Sequence, residues 1–172
     1  MTIAENISLA KENIAAAARR AGRSPGEIYL VGATKMNDAQ RVREAIAAGL
    51  PICGENRVQE LLQKNAEHAY DGAQLHFIGH LQKNKVRQIV GLVSLIHSVD
   101  SVELMAQIDR TAGSRGIVQD ILLEVNIGAE AAKSGFSSGD IPAALAAAAQ
   151  FPALRVRGLM AVPPICADGE EN

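Results

Sequence analysis

The sequence predicts an α/β fold built on a parallel β-sheet. Short apolar runs suited to buried strands alternate along the 172 residues with segments of helical periodicity. Such alternation is typical of βαβ units, in which successive strands run parallel. An open doubly wound sheet and a (β/α)8 barrel both fit this pattern. The sequence contains neither a G-x-G-x-x-G nor a G-x-x-x-x-G-K-[ST] motif, so the usual phosphate-binding loops of open sheets are absent.

Helix and strand signals follow one another through the first half of the chain. The first predicted helix starts at a capping box of Thr2 and Glu5 and stops at Gly22. Asp38 can cap a second helix, which Gly49 ends. The predicted elements are, in order, that first helix, a strand at 28–33, the helix between Asp38 and Gly49, a strand at 51–53, a helix over 56–69 and a strand at 75–78.

The same alternation continues in the second half of the chain. The predicted elements there are a short basic helix at 82–90, a strand within 92–99, a helix over 100–112, a strand at 121–127, a helix at 141–150 and a strand at 154–162. Asp168 and Glu171 then repeat the D-x-x-E pattern of a helix start, just before Asn172 ends the sequence. A barrel typically has about 250 residues, so six strands and this last signal predict a barrel truncated after its sixth strand.

Composition excludes several classes of protein. Hydrophobic residues make up 48% of the chain and the net charge is −2, which is unlike a disordered protein. The balance of 17 basic and 19 acidic residues argues against a dedicated nucleic-acid binder. No apolar run is long enough for a membrane span, and the N-terminus has no signal-peptide core. Cys53 and Cys166 form no C-x-x-C motif, so we expect no disulfide framework or zinc site, and a cytoplasmic location.

Two candidate site residues follow the first two predicted strands. Lys35 comes directly after the strand at 28–33, where side chains of parallel sheets face the ligand-binding edge. A lysine amine at that edge can attack a carbonyl carbon, although a solvated loop lysine is the alternative. Asn56 follows the strand at 51–53 and can hydrogen-bond a ligand. The alternative for Asn56, and the favoured one from the pattern alone, is that it caps the next helix.

Three weaker signals lie further along the chain. His76 and His80 are four residues apart, which on a strand places both side chains on one face, but the sequence is not H-E-x-x-H and zinc is not expected. A core histidine at 76 and a polar residue at the sheet edge at 80 are the plainer interpretation.

The basic run 83–87 can contact an anion or RNA, or form a solvated helix face. Lys133 follows the fifth strand and is a second candidate amine or anion contact. In a barrel, Lys35, Asn56, His80 and Lys133 would gather at one end.

Several runs of the sequence together resemble one known family. They are Val31-Gly-Ala-Thr-Lys35, Gly54-Glu-Asn-Arg-Val-Gln-Glu60, His76-Phe-Ile-Gly-His-Leu-Gln82 with Asn84-Lys85, Val125-Asn-Ile127, Lys133-Ser-Gly135 and Arg157-Gly-Leu-Met-Ala161. On these residues the chain is identified as a member of the YggS/PROSC family, the pyridoxal phosphate homeostasis proteins. The resemblance covers essentially the whole chain.

The resemblance implies a fold and a set of site residues. The fold is a single barrel domain over residues 1–172, like the N-terminal domain of alanine racemase, with strands seven and eight missing from this chain. The cofactor is pyridoxal 5′-phosphate (PLP), held as a Schiff base on Lys35. Asn56 matches a family position beside the cofactor, Met160 one that packs near its ring, and Lys133 a lysine of accessory cofactor handling. No catalytic residue and no metal site is implied.

The resemblance also implies a function without established turnover. Family members buffer or deliver PLP, with PLP-dependent client enzymes as further partners and no membrane or nucleic acid. A PLP-dependent amino-acid racemase is the alternative, but a racemase needs a second, placed base. A cofactor-free Schiff-base lyase and an RNA-binding module are two further alternatives. The family's phosphate-binding loops after strands seven and eight have no counterpart in the 172 residues, so we expect this chain to bind the cofactor weakly or not at all.

Overall fold

The computed structural model describes residues 1–128 and 134–163. Within these residues strands and helices alternate along the chain. The helices are α1 (Ile3–Arg20), α2 (Ala39–Ala47), α3 (Val58–Ala66), α4 (Val86–Ile89), α5 (Val102–Ser114) and α6 (Ile141–Ala148). The strands are β1 (Val31–Ala33), β2 (Ile52–Glu55), β3 (Gln74–Phe77), β4 (Leu95–Val99), β5 (Gln119–Glu124) and β6 (Leu154–Met160).

The strands form one sheet in the order in which they occur in the chain, β1-β2-β3-β4-β5-β6. The pairs β1–β2, β4–β5 and β5–β6 are parallel. In a doubly wound sheet the strand order reverses at a switch point, whereas barrel strands follow the chain order. The sequential order therefore selects the barrel-type architecture over the open sheet, and the predicted α/β class is confirmed.

Contacts divide the chain into two compact units, Met1–His76 and Phe77–Asn172. Each unit has its own apolar core, in which helix faces pack on strand residues. In the first unit the core includes Val42, Ile52, Cys53, Val58 and Leu61. In the second it includes Phe77, Ile89, Ile96, Leu104, Met105, Ile108, Ile121 and Leu123. Each large apolar side chain removed from water stabilises its unit by about 1.5–3 kcal/mol.

Helix starts agree closely with the sequence signals. Thr2 and Glu5 form the predicted capping box, with the Glu5 carboxylate accepting from the Thr2 N–H at 2.7 Å and the Thr2 hydroxyl from the Glu5 N–H at 3.2 Å. Asp38 caps α2 by accepting from the Arg41 N–H at 2.8 Å. Gly49, just after α2, has a φ of 91°, the left-handed conformation that favours glycine. Each such N-cap contributes about 1 kcal/mol.

Several predicted boundaries are wrong. β1 has three residues rather than six, and the predicted helix at 82–90 is a 3-10 turn followed by the four-residue α4. The N-cap of α3 is Arg57, with no side-chain cap, so Asn56 does not cap this helix. β3 ends at Phe77, so His76 and His80 do not share a strand face: His76 is buried and His80 is exposed beyond the strand. The plainer interpretation of these two histidines is confirmed.

The helix start at Asp168 lies outside the described residues. No helix within residues 1–128 and 134–163 combines the length and the apolar character that a membrane span requires.

Candidate functional site

The predicted site residues lie at the carboxyl ends of strands. Lys35 follows β1 by two residues, Asn56 follows β2 directly, and Met160 is the last residue of β6. Because Ala33 is paired with Gly54, Lys35 and Asn56 each come two residues after that pair and leave the sheet side by side. Lys133 lies outside the described residues.

Lys35 lies in a tight turn with its side chain exposed to solvent. The Thr34 N–H donates to the Gly54 carbonyl at 2.9 Å, and the Asn37 N–H donates to the Thr34 carbonyl at 3.2 Å. The Asn37 amide also donates to the Lys35 carbonyl at 3.1 Å. The chain thus leaves β1 in a turn whose backbone groups are hydrogen-bonded and in which Lys35 is exposed.

A buried ionic network lies beneath this turn. The carboxylate of Glu55, the last residue of β2, is fully buried. Its Oε1 accepts from the Thr34 hydroxyl at 2.7 Å, the Lys64 ammonium at 2.8 Å and the Tyr70 hydroxyl at 3.1 Å. Lys64 donates its two other protons to the Thr34 carbonyl and to Glu60 Oε1, both at 2.7 Å. All three donors of this buried lysine are therefore in use.

The network sets the protonation of its members. Burial disfavours the charged form of Lys64, but its hydrogen bonds and ion pairs with Glu55 and Glu60 outweigh burial and raise its pKa above the ordinary value. The hydrogen bond from Lys64 lowers the pKa of Glu60, against a smaller opposing effect of burial. Burial, then the charge of Glu55, raises the pKa of Tyr70. The network is thus an ion pair at neutral pH, with Tyr70 a neutral donor.

Cys53 lies near the same network and is unreactive at neutral pH. It is a free thiol buried in β2. Burial and the charge of Glu55 raise its pKa to about 11. Since the thiolate is the reactive form, Cys53 is not a nucleophile at neutral pH.

Asn56 has a free hydrogen-bonding atom. Its side-chain oxygen is buried, and no described residue donates to it. Buried polar atoms are normally paired, because an unpaired one costs about 1–3 kcal/mol. An unpaired amide oxygen beside the Lys35 turn is therefore suited to binding a ligand.

The second unit has a looser polar cluster at its strand ends. His80, after β3, has its Nδ1 3.4 Å from Asp100 Oδ2 and 3.4 Å from the Ser134 hydroxyl. Burial and the negative charge of Asp100 raise the pKa of Glu124, the last residue of β5. Met160 is half-buried and is paired in register with Glu124. Within the described parts of the chain, no three metal-ligating side chains form a metal site.

The buried network was not predicted from the sequence. Glu60 and Lys64 have the i,i+4 spacing of a surface ion pair on a helix, which is its usual meaning. The available signal was that Lys64 lies three residues after the core residue Leu61 and so shares its helix face. A lysine on the apolar face requires a buried partner, and Glu55 is that partner.

The chain is similar in sequence to several known proteins. The family model of the alanine racemase N-terminal domain matches residues 6–172. The chain is 44% identical over 164 residues to the pyridoxal phosphate homeostasis protein of Pseudomonas aeruginosa, covering 94% of this chain and 70% of the relative. It is 39% identical over 171 residues to the pyridoxal phosphate homeostasis protein of Aquifex aeolicus, covering 99% of this chain and 75% of the relative. The chain belongs to the family of pyridoxal phosphate homeostasis proteins.

A solved structure of this family carries the cofactor. It is PipY of Synechococcus elongatus PCC7942 with PLP bound, at 33% identity and a TM-score of 0.78, over 99% of this chain and 74% of that one. The family resemblance inferred from the sequence motifs is thereby confirmed.

Proposed function

We propose that this chain is a PLP-binding protein of intracellular PLP homeostasis, which holds the cofactor reversibly as a Schiff base on Lys35. The observation that carries the proposal is that Lys35 is exposed on a hydrogen-bonded turn at the end of β1. This turn belongs to one of the sequence motifs that the chain shares with the family. The choice of cofactor is supported by the relatives that are pyridoxal phosphate homeostasis proteins and by the PLP-bound PipY structure.

The residues present fit such a cofactor. The exposed Lys35 amine can condense with an aldehyde, and no hydrogen bond or ion pair with residues 1–128 or 134–163 competes for it. Asn56 supplies the unpaired side-chain oxygen beside the turn. When bound, PLP supplies an aldehyde and an electron-withdrawing ring, and the protein residues bind and orient it.

The positions of the two tyrosines favour a carrier over a racemase. Tyr29 lies before β1 and Lys35 after it, beyond the opposite end of that strand. Tyr70 is buried, with its hydroxyl donated to Glu55. Neither tyrosine of this chain is thus placed as a second base for a substrate on Lys35. We propose that the chain loads and releases the cofactor and has no catalytic turnover.

The remaining parts of the proposal rest on the family resemblance. Met160 is proposed as a cofactor contact and Lys133 as an accessory lysine. The fold is proposed as one alanine-racemase-like barrel domain, of which the 172 residues hold six strands. We propose PLP-dependent enzymes as clients and the cytoplasm as the location.

The test is trapping of the adduct. Purified protein is titrated with PLP, reduced with borohydride and digested, and the modified lysine is mapped by mass spectrometry. With PLP in excess, so that weak binding does not limit occupancy, we expect up to one equivalent on Lys35, and loss of that adduct in Lys35→Ala. The matched control is Lys83→Ala, which removes an exposed lysine of the second unit and should leave the adduct intact.

Two results would contradict the proposal. Equal trapping in the Lys35→Ala protein would move the Schiff base elsewhere, with Lys133 the first position to examine. Racemisation of D- or L-alanine by the PLP-loaded protein, absent in Lys35→Ala, would establish the racemase alternative instead.

A further inference from the structure

The backbone on both sides of Lys35 is held by one pair of charged side chains. The Thr34 carbonyl, just before Lys35, accepts from Lys64 Nζ at 2.7 Å. The Met36 N–H, just after Lys35, donates to Glu60 Oε1 at 2.6 Å. Lys64 and Glu60 are themselves bonded at 2.7 Å. A closed ring of contacts therefore runs from one side of Lys35 to the other through α3.

The conformation at Met36 requires such support. Met36 has a φ of 62°, in the left-handed region that residues with a side chain rarely adopt. Its side chain is almost fully exposed, so packing does not impose this conformation. Backbone in such a conformation persists when surrounding contacts hold it. The hydrogen bond from the Met36 N–H to Glu60 is one such contact, beside the bond from the Asn37 N–H to the Thr34 carbonyl that closes the turn.

Other contacts fix the turn only in part. Asn37 bonds the Thr34 and Lys35 carbonyls from within the turn itself. These local bonds move with the turn, because both partners belong to it. Thr34, before Lys35, is also bonded to Gly54 and Glu55 of β2 and to Lys64 of α3. Glu60 differs because it lies on α3 and holds the backbone on the other side of Lys35, at Met36.

We propose that Glu60 is a positioning residue for Lys35. By accepting from the Met36 N–H, and held in turn by buried Lys64, it fixes the turn so that the Lys35 amine points in one direction. This inference rests on the proposed function, because it assumes that Lys35 carries the cofactor. Glu60 itself does not touch the amine.

A fixed turn should increase the rate at which the Lys35 amine reacts with a carbonyl. An amine on a fixed turn meets a carbonyl in the productive direction more often than one on a mobile turn. Loss of the Glu60 contact should therefore slow Schiff-base formation and weaken PLP binding, without loss of the fold. The fold should survive because removing Glu60 leaves the buried Glu55–Lys64 ion pair intact.

Three variants test the proposal. Glu60→Ala removes the acceptor. Glu60→Gln keeps an oxygen acceptor without the charge. Glu44→Ala is the matched control, because the Glu44 carboxylate accepts a hydrogen bond from Gln40 on α2 and not from the Lys35 turn. Folding of each variant is checked by circular dichroism and thermal unfolding.

Two measurements are made on each protein. The first, without cofactor, is hydrogen–deuterium exchange of the Met36 amide by NMR. We expect exchange at least ten-fold faster in Glu60→Ala, and within about three-fold of wild type in Glu60→Gln and Glu44→Ala. The second is the rate of adduct formation with PLP from absorbance and borohydride trapping. We expect a decrease of three-fold or more in Glu60→Ala, with Glu60→Gln close to wild type.

The outcomes separate this proposal from the proposed function. Unchanged Met36 exchange in Glu60→Ala overturns the positioning role, and so does faster exchange with an unchanged adduct rate. Glu60→Gln behaving like Glu60→Ala also overturns it, because the hydrogen bond would then not be the cause. Retention of the adduct in Lys35→Ala overturns the proposed function, and the positioning role falls with it.

Discussion

The strand ends of the two units are stabilised in different ways. After β1 and β2, Glu55 and Lys64 are buried and are joined to their partners by hydrogen bonds of 2.7–3.1 Å. After β3 and β4, His80 is exposed and lies 3.4 Å from Asp100. The first arrangement is a desolvated network in which each charge requires its partner. The second is a solvated contact of the kind that contributes little.

The proposed cofactor lysine lies in the unit that has the buried network. This lysine is Lys35, and members of the network bond the backbone on both sides of it. A buried ion pair costs desolvation energy and often adds little net stability. Its placement at this turn is therefore better explained by the geometry that it imposes on Lys35. The His80 cluster imposes no comparable constraint.

The largest effect should come from breaking the buried pair. Lys64→Met leaves Glu55 as an unpaired buried carboxylate, which typically costs about 3–5 kcal/mol. Urea unfolding measures this loss. The matched control is Lys11→Met, because Lys11 also donates to a backbone carbonyl, that of Gly49 at 2.6 Å, but from an exposed position. Its expected loss is below about 1 kcal/mol, and equal losses in the two variants would contradict the comparison.

A smaller effect is expected from pH. The pKa of Glu60 is lowered in the folded protein, chiefly by Lys64. Its contribution is therefore fully present above the ordinary glutamate pKa of about 4.3 and is lost as pH falls through the lowered folded value. The stability advantage of wild type over Glu60→Gln should shrink between pH 7 and pH 3 in urea unfolding. Glu44→Gln is the control, and an advantage that persists at pH 3 would argue against the ion pair.

The smallest effect should come from the second unit. His80→Gln removes only exposed contacts of 3.4 Å, so we expect a change in unfolding free energy below about 0.5 kcal/mol. The same urea experiment measures it, with Lys64→Met as the reference. A loss above about 2 kcal/mol would mean that the His80 cluster is as constrained as the buried network.

Much of the architecture could be predicted from local patterns. The capping box of Thr2 and Glu5 and the Asp38 cap depend on residues three apart, so the sequence shows them directly. Asn56 was different. Its type and position favour a helix cap, but α3 begins at Val58 with Arg57 as its N-cap, one residue later than a cap at Asn56 requires. Boundaries shifted by a single residue change what a side chain faces, and local propensity does not define them so closely.

The sequence by itself determined the α/β class, the six strands in order, the family and the position of Lys35 at a strand end. These depend on periodicity and motifs, which are local properties of the chain. Only the tertiary structure decided that Lys64 is buried, that Glu55 is its partner nine residues earlier, and that Glu60 bonds the Met36 N–H 24 residues earlier. Such contacts arise when β1, β2 and α3 pack together. Burial then turns an ordinary i,i+4 charge pair into a network that holds the Lys35 turn.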